Sequence, residues 1–202
     1  MIALAAGCGD DNSGGGAGGG HADNALELSG RIDQIGPKFK GYGFVTRVEG
    51  VGPSALAKSG GSELTEKNAR VTFVFDTDLT SRAIVGNSFS VATEGTVTFY
   101  LDEKPGASFD DPDSFAAGEK VASGTLRVTN VVTVYAKNSG IATATGSMEF
   151  EDASSFDLGG ESVSIGNSGD KYRLTLTGRG TRTEAIIPKS NFDFAGQAVL
   201  VD

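Results

Sequence analysis

Residues 125–151 read TLRVTNVVTVYAKNSGIATATGSMEFE, and this stretch decides the fold. Leu126, Val128, Val132 and Val134 keep even parity, while Thr125, Arg127, Thr129 and Thr133 take the odd positions. Side chains on a strand alternate between two faces, so this pattern predicts a strand with one packed and one wet side. Asn138-Ser139-Gly140 follows as a turn, because Asn and Gly tolerate positive φ. In the return strand Ile141–Glu151, one face carries Ala142, Ala144, Gly146, Met148 and Phe150. Its side chains grow from small to large along the strand, as a tapering barrel wall or a strand beneath a bulky neighbour requires.

The same alternation extends outward in both directions. Leu26, Leu28 and Ile32 share a face against Glu27, Arg31 and Asp33. A second strand spans Phe39–Glu49, with Tyr42, Phe44 and Val48 on one side and Gly41 and Gly43 on the other, where they suggest a bend, bulge or close backbone approach. Residues 50–68 form a long connection with room for one helical turn around Ala55–Lys58. Val71, Phe73 and Phe75 alternate with polar residues, and Phe89, Val91, Val97, Phe99 and Leu101 keep odd parity with a break expected near Glu94-Gly95. Beyond the turn at Asn167-Ser168-Gly169, Tyr172, Leu174 and Leu176 oppose Lys171, Arg173 and Thr175. Ala185–Ile187 and Ala198–Val201 read as closing strands, with Pro188 at a strand end or edge. About nine or ten strands with little helix predict an all-β domain. An antiparallel β-barrel is expected, with a two-sheet β-sandwich as the alternative. The pattern is faintly similar to calycin and to dirigent-type or allene-oxide-cyclase barrels, a likeness of architecture that implies no catalytic residue.

Residues 9–24 (GDDNSGGGAGGGHADN) are of low complexity and have too little apolar surface to offset the entropy of ordering, so a disordered N-terminal tail is expected. The domain organisation is therefore a tail over 1–24 and a single β domain over 25–202. Leu4-Ala5-Ala6-Gly7-Cys8 places small residues immediately before the one cysteine of the chain. This run resembles the lipobox of bacterial lipoproteins, although Leu4 sits one place further out than the usual leucine. The resemblance implies acylation of Cys8, a signal peptide with a start further upstream, and attachment to a lipid bilayer in the bacterial cell envelope, on the extracytoplasmic side. Stable anchoring needs two or three acyl chains, since one binds only marginally. The glycine-rich segment would then be a flexible leash of about 16 residues, reaching roughly 20–25 Å.

Composition limits what the body can do. The net charge is −9, and Asp10, Asp11 and Asp23 of the tail carry three of those charges. A body this acidic, without a basic cluster, repels phosphate, so nucleic acid is not an expected partner. The single cysteine is Cys8 and the single histidine is His21, both in the tail. Residues 25–202 therefore lack the side chains for Ser-His-Asp or Cys-His nucleophilic catalysis and for His- or Cys-based metal sites. No cofactor is expected.

The acidic segment Phe109–Phe115, with Asp110, Asp111 and Asp113 and then Glu119, is a candidate calcium loop, against the alternative of a solvated turn, and Phe109 and Phe115 are expected to plug the loop onto the barrel end. Asp76, Asp78, Glu94, Glu149 and Glu151 offer carboxylates for acid/base work, or an exposed face paired with Lys and Arg. Gly41-Tyr42-Gly43 lacks the third glycine and the helix of a nucleotide site. Tyr42, Phe44, Phe73, Phe75, Phe89, Phe99, Phe150 and Tyr172 are the candidate lining of an apolar pocket, whereas Tyr100 lies opposite its apolar neighbours. Three readings stay open: a binding module for a small apolar ligand or a protein partner, a structural domain with a solid core, and a cofactor-free cyclase-like enzyme.

Overall fold

The computed structural model describes residues 24–58 and 63–201. Cys8, His21 and the glycine-rich stretch lie outside them. Eight strands form a closed antiparallel barrel: β1 (Asn24–Ile35), β2 (Lys38–Val48), β3 (Val71–Val85), β4 (Ser88–Leu101), β5 (Glu119–Ala136), β6 (Ser139–Ala153), β9 (Lys171–Glu184) and β10 (Lys189–Val201). Between β6 and β9 the chain makes a separate hairpin, β7 (Phe156–Leu158) with β8 (Glu161–Val163). Each barrel strand pairs with its neighbour in chain order, apart from that excursion, and β10 closes onto β1. The expected barrel is therefore the observed one, and closure leaves no open edge among the eight barrel strands.

The two ends differ. The tight turns at 36–37, 86–87, 137–138 and 185–188 share one end, called the mouth here. Gly86 and Asn138 adopt φ of 60° and 61° there, which a β-branched residue would resist. The long connections leave from the opposite end. There Leu56 of the short helix α1 (Pro53–Leu56), Leu158 of β7 and Ile165 are buried in the main core and plug the barrel. From that plug an unbroken series of ring contacts runs inward: Tyr172–Phe150, Phe150–Phe99, Phe99–Phe73, Phe73–Phe194 and Phe194–Phe75, with centroids 5.3–6.4 Å apart. Each such ring contributes roughly 2–3 kcal/mol by burial.

Several expectations are corrected. Residues 185–187 form the β9–β10 turn rather than a strand, and Ile186 is 95% exposed. The last strand instead starts at Lys189 and turns Phe192 and Phe194 inward. Strand β4 runs through Gly95 without a break, and the irregularity lies across the ladder at β3, between Leu79 and Ser81. On β2 the glycines face the interior, because Cβ atoms at Gly41 and Gly43 would run into the rings of Phe75 and Phe73. Tyr42 and Phe44 consequently face outward.

They are nonetheless buried. Residues 102–118, with a 3-10 turn over Pro112–Ala116, fold back over the outer side of β2, β3 and β4 instead of capping the barrel end. Phe115 packs at 5.3 Å from Tyr42 and 5.1 Å from Phe109. The Thr72 hydroxyl donates to the Phe115 carbonyl at 2.7 Å. Elsewhere the outer face carries cross-strand ion pairs, including Glu94–Arg127 at 2.6 Å and Glu149–Lys171 at 3.2 Å. Those carboxylates are therefore the paired wet face, not an acid/base couple.

Candidate functional site

Where the ring series ends at Phe75 and Phe194, the wall beyond becomes small. Pairing aligns Met148, Gly146, Ala144, Ala142 and Gly140 on β6 with Tyr172, Leu174, Leu176, Gly178 and Gly180 on β9, and Phe150 lies one step beyond Met148 toward the plug. Large residues lie at the plug and small ones at the mouth, so the interior fills at one end and opens at the other. A cavity of about 100 Å³ results in the barrel, walled by Phe75, Thr77, Val97, Val128, Ala144 and Phe194 among others. It borders a wider cup of about 650 Å³ at the mouth, with Gln34, Val91, Val132 and Phe192 lining both.

The candidate aromatic residues divide into three groups. Phe73, Phe75 and Phe99 line the inner cavity, and Phe89 lines the cup. Phe150 and Tyr172 lie in the buried core toward the plug. The Tyr172 hydroxyl donates to the Ile165 carbonyl at 2.9 Å, and burial, with Asp170 and Glu49 adding to it, pushes the phenol up to about 12. Tyr42 and Phe44 belong to the outer cluster beneath the 102–118 loop. The Tyr42 hydroxyl donates to Asp33 Oδ2 at 2.7 Å, and burial followed by that carboxylate raises its pKa well above the ordinary phenol value.

The carboxylates of the candidate calcium loop do not converge. Asp113 pairs with Lys40 across the outer wall, and Asp110, Asp111 and Glu119 are exposed. Among the described residues no three His, Cys, Asp or Glu side chains are grouped to hold a metal ion.

The polar groups around the hollows fall on the inward parity of their strands, Arg82 excepted, but their polarity masks them as interior residues. Thr77 is 4% exposed, lines the inner cavity, and its Oγ1 has no hydrogen-bond partner among the described residues. Thr93 and Asn130 line the same space. Gln34 is fixed at the junction, donating to the Gly36 carbonyl at 3.0 Å and accepting from Ser190 Oγ at 2.8 Å. The ionisable side chains lining the cup are Arg82 and Arg182. Arg82 stands 5.1 Å from the centroid of the Phe89 ring, and Arg182 donates to Asn138 Oδ1 at 3.1 and 3.3 Å. The even parity of Tyr172, Leu174 and Leu176 extends to Arg182 and could have placed it inside. Phe192 and Phe194 likewise alternate with Asn191 and Asp193. What the site offers is shape, apolar surface, one unpaired hydroxyl and two fixed positive charges. Comparisons with protein-family models, with curated proteins and with solved structures find no match to this chain.

Proposed function

We propose that this chain is a bacterial cell-envelope lipoprotein, held to the bilayer through acylated Cys8, whose barrel takes up a small apolar ligand through its mouth. The observation that carries the binding role is the apolar cavity next to the open cup, the two sharing Gln34, Val91, Val132 and Phe192. An eight-stranded barrel has an interior that side chains can just fill, or that holds one small molecule. Here Ala142, Ala144 and Gly178 line the space instead of larger residues. The placement of the chain supports the tether as well. β1 begins at the plugged end, so an anchor preceding Asn24 would leave the mouth on the far side from the lipid.

Mass spectrometry of the natively purified protein is expected to reveal a co-purifying apolar molecule. A neutral fluorescent probe, N-phenyl-1-naphthylamine, is expected to bind the stripped protein with one site per barrel. A blank in both assays overturns the binding role. In cells making the full-length precursor, Cys8→Ser is expected to move the protein from the membrane fraction to the soluble fraction, and unchanged partitioning refutes the anchor. The exposed tips Ile84, Val85, Ile186 and Ile187 favour a second reading, in which a protein partner docks on the mouth.

A further inference from the structure

We infer that the ligand is an anionic amphiphile, its charged head held between Arg82 and Arg182 at the mouth and its apolar body inside the barrel, which presupposes that the barrel binds an apolar guest. In the closed strand order β1-β10-β9-β6-β5-β4-β3-β2, strands β3 and β9 stand four places apart in a ring of eight. Arg82 on β3 and Arg182 on β9 therefore enter the cup from opposite walls. Their inward direction has a local cause in each case. On β3 the bulge between Leu79 and Ser81 shifts the register, so that Arg82 pairs with the inward-facing Val91. On β9 Arg182 pairs with Ser190, which also lines the cup.

Neither guanidinium meets a carboxylate among the described residues. Arg82 lies over a phenyl ring and Arg182 binds a neutral amide. Two ion pairs also lie at this end, Lys38 with Asp78 at 3.0 Å and Lys189 with Glu184 at 2.9 Å, while Lys137 of the β5–β6 turn adds a third positive charge there without lining the cup. Two cations are thus gathered, without counter-charge, in a concave apolar cup on a chain of net charge −9. Low-dielectric walls focus that field, and a guanidinium fork matches a carboxylate or phosphate oxygen pair. A second observation points to a guest independently of charge. The Thr77 hydroxyl is nearly fully buried, lines the cavity and has no partner in the described protein. A guest or a water in the cavity would meet it.

Displacement of the neutral probe N-phenyl-1-naphthylamine by decanoate, monodecyl phosphate and decan-1-ol tests this on the stripped full chain. At least one anion is expected to displace the probe at about tenfold lower concentration than the alcohol, and the better of the two identifies the head group. That advantage is expected to vanish in the double variant Arg82→Gln/Arg182→Gln, read as the ratio of anion to alcohol affinity within that variant, by calorimetry of each ligand where the probe itself binds more weakly, so that any change in probe binding cancels. Equal potency of alcohol and anions, or an advantage that survives in the double variant, overturns the anionic head while leaving the cavity role intact. Failure of the wild type to bind the probe or any of the three ligands removes both.

Discussion

The ring of Phe75 occupies the space in which a side chain at Gly41 would stand, the two residues being direct cross-strand partners of β2 and β3. A glycine opposite a large ring lets the aromatic side chain lie across the backbone of its neighbour. Gly41→Ala forces the ring or the strand to move, and is expected to destabilise the protein by roughly 1–3 kcal/mol. Urea unfolding measures this directly. Phe75→Leu in the same chain should recover part of the loss, so that the double variant costs less than the two single changes added together.

That relationship also explains where reading the chain by parity succeeds and where it stops. Period-two alternation identifies a strand when one face is buried and the other is wet, which holds for β5, β6 and β9. On β2 both faces are covered, one by the barrel interior and the other by Phe109 and Phe115. Size then misleads, since the largest residues lie outside and glycines lie inside. The covering loop is distant in sequence, and nothing local to β2 announces it. The run Ala185–Ile187 is apolar, yet Pro188 and the pairing of Lys189 with Glu184 make it a turn.

The cavity was half legible. The gradient from Ala142 to Phe150 records a wall that thins toward one end, although it takes the pairing with β9 to show that two adjacent walls thin together. Arg82 was hidden for a different reason. Simple parity from Phe73 and Phe75 sends residue 82 outward, and only the bulge between Leu79 and Ser81 reverses it. A bulge of this kind has no strong sequence signal.

Tyr172 makes the protein sensitive to alkali. Burial holds its phenol at about 12 in the folded chain, against an ordinary value of about 10 in the unfolded one. Below pH 10 the phenol is protonated in both states and its contribution is complete. Between pH 10 and 12 the unfolded chain releases this proton and the folded chain keeps it, so stability falls as pH rises. The urea midpoint of the wild type is expected to drop across that window more steeply than that of Tyr172→Phe. The comparison cancels the contribution of every other group that the two proteins share. Parallel curves would show that the Tyr172 proton plays no part.

Thr77 gives the opposite sign, a substitution that should strengthen the fold. Its side chain is buried at 4% exposure with Oγ1 unpartnered among the described residues, and such a hydroxyl costs roughly 1–3 kcal/mol relative to a satisfied one. Valine keeps the branched shape and replaces the hydroxyl with a methyl group, so Thr77→Val is expected to stabilise ligand-stripped protein by about 1 kcal/mol. The neighbours are apolar enough to accept it, with Phe75, Val91 and Val97 lining the same cavity. Thermal and urea unfolding of the stripped variant test the sign. A loss of similar size would mean that the hydroxyl has a partner in solution, and the inner cavity would then have to be regarded as a satisfied polar site rather than an apolar one awaiting a guest.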